Sequence, residues 1–136
     1  MGRRKRAFAH DSFEFLAFAE ELMDAARHCR QTGRPRAGAL LAVHASIAAS
    51  DAVCVLRLGE RASGEQHGEA PDLLATSGAP DAREKAIQFA AILAMKNRVA
   101  YEARPPTHEE GDLLVKRAKR LVDWAATVVR RAPPGS

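Results

Sequence analysis

The sequence predicts an all-α fold, an up-and-down bundle of four long helices plus one short helix. The apolar residues are mostly Ala, Leu and Val, they recur with the period of a helix, and no stretch alternates like a strand. Only 5% of the residues are aromatic, which disfavours a β-sandwich. The 136 residues are enough for one domain with a hydrophobic core. We therefore expect a helical body over 12–130, a basic disordered arm over 1–11 and a disordered tail over 131–136.

Capping and turn residues predict the ends of the first two helices. Ser12 is a candidate N-cap of the first helix, and Gly33 is its candidate stop. Pro35 suits the first position of a second helix, which should end at Gly59. The second helix is apolar nearly all round and is predicted to be the central helix. The inner face of the first helix is expected to carry five apolar residues, Leu16, Ala19, Leu22, Met23 and Ala26.

A polar loop over 60–68 separates these helices from the second half of the chain. A short helix is expected over 71–76. Pro80 then precedes a fourth helix predicted over 81–102, which Pro105-Pro106 would break. Its inward side chains are predicted to be Ile87, Ala90, Ala91 and Ala94.

The last helix has the clearest start signal in the chain. Thr107 and Glu110 have the spacing of a capping box, so the helix is predicted over 108–130. Its apolar stripe is expected to consist of Leu114, Ala118, Leu121, Ala125 and Val128.

Charge and cysteine usage restrict the surroundings of the protein. The net charge of +4 comes from the arm, because without Arg3, Arg4, Lys5 and Arg6 the remaining 17 basic residues balance 17 acidic ones. The arm is either a solvated tail or a contact for nucleic-acid phosphates. We expect a reduced, cytoplasmic protein without a membrane span, since the two cysteines form no CxxC pair and no signal peptide is apparent.

The second helix carries a carboxylate that requires a partner. Asp51 lies on one stripe with His44, within a helix that is otherwise apolar. An unpaired buried charge is costly, and the expected partners are Lys96, Arg98 and Tyr101 of the fourth helix. Two interpretations remain open: a structural network that fixes the register of the two helices, or a polar site for a ligand, RNA or a protein partner.

Three stretches together resemble a known family. They are the long apolar helix over 41–52, the Arg57-Leu58-Gly59 sequence with the polar loop to His67, and the stretch Lys96-Asn97-Arg98-Val99-Ala100-Tyr101 before the last helix. In order and spacing they resemble the HEPN domain, an all-helical family of prokaryotic toxins, defence proteins and nucleotidyltransferase partners. The basic, alanine-rich composition favours a bacterial, actinobacterial-type branch.

The resemblance implies a site and an assembly. Active family members carry Arg, usually followed by Asn, and then His a few residues later; two such motifs face each other in a homodimer and cleave RNA without a metal. The Arg would hold the phosphate, and the His would move the proton of the attacking 2′-hydroxyl. In this chain Asn97 matches, Lys96 replaces the Arg, and Tyr101 replaces the His with a phenol, which is a poor general base at neutral pH.

Two functions follow as hypotheses. The first is a non-catalytic or degenerate HEPN-like module that binds RNA, a nucleotide or a protein partner encoded nearby, in a bacterial toxin, defence or stress context. The second is a metal-independent endoribonuclease with a composite site at the dimer interface. In the first, Lys96, Arg98 and Tyr101 line a polar groove together with Asp51 and Asn97. In the second, Lys96, Arg98 and Tyr101 are the candidate catalytic residues: Arg98 or Lys96 would hold the phosphate, and Tyr101 or a nearby His would transfer the proton. No cofactor or metal is expected, because the chain has no phosphate-binding glycine loop and no zinc-ligand spacing. The predicted polar groove beside the reactive residues consists of His44, Asp51, Asn97 and Glu102.

Overall fold

The fold is organised around one long central helix. The computed structural model describes residues 4–6, 8–62 and 69–131. The predictions for residues 1–3, 7, 63–68 and 132–136, which include most of the polar loop and the tail, lie outside the described residues. The elements in chain order are β1 (Arg4–Arg6), α1 (Asp11–Gln31), α2 (Pro35–Leu58), β2 (Glu60–Ala62), α3 (Glu69–Ala75), α4 (Ala82–Ala94), α5 (Lys96–Tyr101) and α6 (His108–Arg130). The predicted all-α class is confirmed, since the described chain is mostly helical; the finer assignment to an up-and-down, HEPN-like bundle stays a prediction.

Helix α2 begins and ends as predicted. Pro35 occupies its first turn, and Gly59 ends it in the left-handed region at φ 69°. Helices α1 and α6 cover most of its surface, with α3, α4 and α5 completing the packing. A side chain at Gly38 would place Cβ only 2.8 Å from the carbonyl oxygen of Ala26 on α1, so glycine allows the two helices to approach closely. Small side chains also keep α2 narrow along its length. Six alanines of this helix are fully or nearly buried: Ala39, Ala42, Ala45, Ala48, Ala49 and Ala52.

The same helix has the length and apolar composition of a membrane span. Most of it is nevertheless buried by the other helices, which fits a soluble protein.

Helices α1 and α6 run antiparallel, and an ion pair links them near each end of α6. Arg30 lies 3.1 Å from Asp112, and Arg130 lies 2.6 Å from Glu20. The predicted inner face of α1 is confirmed, with Leu22 only partly buried.

The predicted N-cap of α1 is wrong. The helix begins two residues earlier than an N-cap at Ser12 implies, and Ser12 lies inside it, fully buried, with no hydrogen-bond partner for its hydroxyl among the described residues. The carboxylate of Asp11 instead accepts a hydrogen bond from the backbone N–H of Phe8. A carboxylate is the stronger acceptor, which explains why the neighbouring acid, not the serine, secures this turn.

The predicted bounds and capping box of α6 are confirmed. The Thr107 hydroxyl accepts from the backbone N–H of Glu110 at 3.1 Å, and the Glu110 carboxylate accepts from the backbone N–H of Thr107 at 2.9 Å. The predicted apolar stripe faces the core, with Val128 only partly buried.

The inward face predicted for the fourth helix is wrong. Ile87 is 74% exposed, and Ala90, Ala91 and Ala94 also face solvent. Both faces of this helix are apolar, and the core takes the one with the larger side chains because it buries more surface. The buried residues of α4 are Ala82, Ala86, Phe89, Ile92 and Leu93. The helix is also shorter than predicted, because the chain breaks at Met95 and continues as the separate helix α5.

Two short strands were not predicted. Strand β1 pairs antiparallel with β2, with Arg4 opposite Ala62 and Arg6 opposite Glu60. Part of the arm predicted to be disordered therefore has regular structure. Three residues are too few to produce a recognisable alternation of polar and apolar side chains.

Candidate functional site

Helix α5 is held against the first turns of α2 by an arginine. The Nε of Arg36 donates to the carbonyl oxygen of Val99 at 2.7 Å, and its Nη2 donates to the carbonyl oxygen of Glu102. The last carbonyls of a helix lack partners within the helix, and a guanidinium satisfies them well. Val99 itself is buried. The position of α5 on the helical body is therefore fixed by both hydrogen bonds and packing.

The same short helix is joined to α6 by a bidentate ion pair. Both terminal nitrogens of Arg98 donate to the carboxylate of Glu110, with Nη2 at 2.8 Å from Oε1. The backbone N–H of Thr107 holds the pKa of Glu110 below its ordinary value. The side chains of Thr107 and Arg98 also lower this pKa. Arg98 thus connects α5 to the capping box of α6. Its guanidinium is already engaged with a carboxylate, which competes with any phosphate.

A histidine of α2 and a lysine of α5 interact electrostatically. Partial burial lowers the pKa of His44, and the nearby ammonium of Lys96 lowers it further. The imidazole is therefore neutral at pH 7, beside a cation. Among the described residues, no carboxylate lies within ion-pair distance of Lys96. Its ammonium is therefore available to a phosphate or another anion.

The solvent face of α5 presents an amide and a phenol. Asn97 and Tyr101 lie one turn apart, and the Tyr101 side chain is 77% exposed. No hydrogen bond from a described residue reaches its hydroxyl. Glu102 and Arg104 follow directly and are also exposed. This face therefore carries an aromatic ring and an amide, with Lys96 at the start of α5 and Arg104 just after its end.

Asp51 has a different partner from the one expected. It is buried in α2, and its carboxylate lies 3.9 Å from the guanidinium of Arg61 in β2. That guanidinium also lies over the ring of Phe15, 5.2 Å from the centroid. Burial raises the pKa of Asp51 to about 7, and the Arg61 charge opposes this effect. The carboxylate is therefore close to half protonated at neutral pH.

The expected meeting of Asp51 with Lys96, Arg98 and Tyr101 is wrong. Helix α5 contacts α2 near Arg36 and His44, whereas Asp51 is about 22 Å from Arg36 along the helix axis. The predicted groove is thus divided into separate clusters. His44 and Lys96 interact electrostatically, and Asn97 and Tyr101 lie one turn apart on α5. Arg98 is paired with α6, and Glu102 contributes its backbone carbonyl to Arg36.

Sequence reasoning missed Arg36 and Arg61. Arg36 stands at the start of a helix, opposite the end of an antiparallel neighbour, and this placement could have indicated a partner for the exposed carbonyls. Arg61 directly follows the turn at Gly59, where the chain reverses over the end of α2. A cation just after such a turn is a natural partner for an acid two turns earlier.

The described residues contain no group of three His, Cys, Asp or Glu side chains able to hold a metal ion. Cys29 and Cys54 are not joined by a disulfide bond. No protein-family model matches the chain, and no curated protein is significantly similar to it.

Proposed function

We propose that this protein is a non-catalytic, HEPN-like helical module that binds single-stranded RNA at the solvent face of α5. One observation carries the proposal: Tyr101, the chain's only tyrosine, is 77% exposed and is accompanied by Asn97, Lys96 and Arg104. These four residues, Lys96, Asn97, Tyr101 and Arg104, are called the α5 face below.

The chemistry of the α5 face suits a single strand better than a duplex. Unpaired bases stack on exposed aromatic rings, and each such contact contributes about 1–3 kcal/mol regardless of sequence. Tyr101 supplies the ring. The amide of Asn97 can donate to and accept from a base edge, and Lys96 and Arg104 supply charge for phosphates on either side.

Binding without cleavage is supported by the state of the other candidate reactive groups. Arg98 is engaged by Glu110, and Asp51 lies in a separate part of the molecule beside Arg61. Tyr101 is surrounded by solvent, with no described neighbour positioned to remove its proton. A phenol in that setting is suited to stacking rather than to proton transfer.

The resemblance to HEPN domains also implies a second copy of the chain. The exposed apolar stripe of α4 supports this part of the proposal, because Ile87 projects from it at 74% exposure and three alanines flank it. An apolar helix face with small residues allows another helix to approach closely. We assign this stripe as the dimer contact.

The proposal is tested by titrating a fluorescein-labelled single-stranded RNA with the protein and following anisotropy. Tyr101→Ala should weaken binding by about 5- to 100-fold, since it removes a stacking contact. Tyr101→Phe should retain binding because the ring remains. The matched control is Phe18→Ala, which removes another exposed aromatic, 52% exposed on α1, and should change nothing. Failure of the wild-type protein to bind, or equal effects of the Tyr101 and Phe18 variants, would refute the proposal.

A second candidate function, metal-independent endoribonuclease, is favoured by the electrostatic interaction of Lys96 with the neutral imidazole of His44. A neutral imidazole can take the proton of a 2′-hydroxyl, whose oxygen then attacks the adjacent phosphorus to form a 2′,3′-cyclic phosphate. The 5′-oxygen leaves and takes up a proton from solvent, while the Lys96 ammonium offsets the charge on phosphate.

Cleavage of end-labelled RNA in the presence of EDTA separates the two functions. Products that disappear with His44→Ala, but persist with the exposed control variant His28→Ala, would establish the nuclease. Intact RNA at protein concentrations that saturate binding is the result expected for the non-catalytic module.

A further inference from the structure

A cleft of about 360 Å³ opens at the end of the molecule opposite α5. It lies where the end of α2, the start of α4 and the end of α6 meet. Its position is about 32 Å from Arg36 along α2, so it is separate from the α5 face. A volume of this size is within the range that small-molecule sites occupy. The residues that define its chemistry are Arg57, Pro80, Asp81, Trp124, Val128 and Arg131.

One cation of the cleft is held in place before any ligand arrives. The Nη2 of Arg57 donates to the carbonyl oxygen of Gly78 at 2.8 Å, and its Nε donates to the carbonyl oxygen of Ser77 at 3.4 Å. A guanidinium has five N–H groups, so these two bonds orient it and leave other donors for an anion. Arg131 adds a second guanidinium to the same cleft.

The apolar part of the cleft is rigid. The indole Nε1 of Trp124 donates to the carbonyl oxygen of Pro80 at 2.9 Å, which fixes the ring between α6 and the start of α4. Val128 lies one turn further along α6 and extends this apolar wall. An indole beside an aliphatic side chain is a good surface for a planar ring.

Asp81 has an unusual backbone conformation for its position. Its φ of 64° is in the left-handed region, and it is the only non-glycine residue with positive φ among those that the structure describes. It precedes α4, yet its side chain makes no capping hydrogen bond. Strain of this kind costs about 1–3 kcal/mol and recurs at ligand sites. The carboxylate is thus not used by the helix and lies at the cleft, where it can accept from hydroxyl groups.

We propose that this cleft binds a nucleoside monophosphate. The phosphate would lie between Arg57 and Arg131, the base against Trp124 and Val128, and the sugar hydroxyls would donate to Asp81. Two guanidiniums against one carboxylate leave a net positive charge, which matches an anionic ligand. This site goes beyond the RNA-binding function, because it is at the other end of the molecule and takes a free mononucleotide.

The test uses the fluorescence of Trp124, which is the chain's only tryptophan. Titration of the full chain with AMP, corrected for absorption with free tryptophan, should quench the emission and reach saturation. Adenosine, which lacks the phosphate, and inorganic phosphate, which lacks the base and the sugar, should each bind at least tenfold more weakly. No saturable change with AMP, or equal changes with adenosine or phosphate alone, would overturn the proposal.

Two arginine variants of α6 test whether the ligand binds in this cleft. Arg131→Gln should weaken AMP binding at least tenfold, whereas Arg120→Gln, at an exposed position elsewhere on α6, should leave it unchanged. Equal affinities in these two variants would overturn the assignment. Tyr101→Ala should retain full AMP affinity. Failure of the AMP proposal can therefore be distinguished from failure of the RNA-binding proposal.

Discussion

The carboxylate of Asp51 lies 3.9 Å from the guanidinium of Arg61, on the half of α2 that α5 does not reach. The pair joins the central helix to strand β2, and the ring of Phe15 lies beneath the guanidinium. At 3.9 Å the guanidinium compensates only part of the desolvation of the carboxylate, because no hydrogen bond joins them. This explains why burial dominates and the pKa of Asp51 rises to about 7.

The raised pKa of Asp51 predicts a specific pH dependence of stability. In the unfolded chain the group loses its proton near its ordinary value of 3.8, whereas the folded protein retains the proton up to about pH 7. The folded state therefore binds more protons between these values, and the free energy of unfolding should fall as pH rises from 4 to 7. The difference in pKa corresponds to roughly 4 kcal/mol as an upper value, at about 1.4 kcal/mol per pKa unit.

Urea unfolding of wild type and Asp51→Asn from pH 4 to 8 measures this effect. The isosteric amide cannot ionise, so the variant should gain stability relative to wild type as pH rises and reach a plateau above pH 7. Comparing the two proteins removes the contributions of Glu110 and Asp112, whose lowered pKa values act in the opposite direction. A difference that does not change with pH would show that Asp51 titrates normally.

The buried hydroxyl of Ser12 predicts a stabilising substitution. It is fully buried and has no hydrogen-bond partner among the described residues, so Ser12→Ala should raise the free energy of unfolding by about 1 kcal/mol. Ser46 is the matched control, because its equally buried hydroxyl donates to the carbonyl oxygen of Ala42 at 3.0 Å. Ser46→Ala should lower stability by about 1 kcal/mol. Loss of stability in the Ser12 variant would reveal a partner for that hydroxyl.

The ammonium of Lys96, which has no carboxylate partner in the described part of the chain, predicts a change in the salt dependence of RNA binding. Each phosphate contact on a single strand contributes about 0.7 to the slope of log affinity against log salt concentration. Lys96→Gln should reduce the slope by about that amount. Lys119→Gln should not, because Lys119 is 2.6 Å from Asp123 on the outer face of α6. Parallel slopes for Lys96→Gln and wild type would remove Lys96 from the interface.

The exposed stripe of α4 predicts that dimerisation depends on Ile87. Sedimentation velocity of the wild-type protein should show a dimer at micromolar concentration, and Ile87→Lys should shift it to a monomer without loss of helical content. The control is Phe8→Lys, because Phe8 is equally exposed (74%) but lies outside the stripe. This variant should remain a dimer. A monomeric wild-type protein, or a dimeric Ile87 variant, would exclude this stripe as the contact.

Local signals in the sequence were sufficient for most helix ends. Pro35 and Gly59 delimit α2, and Thr107 with Glu110 begins α6, because each of these residues acts on backbone groups close to it in the chain. The inward face of α4 could not be read in the same way. Both of its faces are apolar, and the choice between them depends on how Phe89, Ile92 and Leu93 fit the core.

The sequence singles out candidate residues for a polar site, but it does not determine how they pair. The stretch from Lys96 to Tyr101 is the separate helix α5, not the end of the fourth helix as predicted. The partner of each charge is decided by tertiary geometry: Arg98 finds the capping carboxylate of Glu110, and Asp51 finds Arg61 across a turn. Short strands such as β1 and β2 leave no periodic signal, so the sequence indicates the position of Arg61 only through the turn at Gly59 that precedes it.

The location of the RNA on the protein is the most direct test of the account. In ¹H–¹⁵N spectra, a single-stranded RNA octamer should shift the backbone amides of residues 96–104 and the side-chain amide of Asn97 most strongly. The backbone amide signals of residues 57, 81 and 124–131, at the opposite end, should not shift. Shifts concentrated on α1, on the basic residues of β1 or at that opposite end, with α5 unaffected, would contradict the proposed interface.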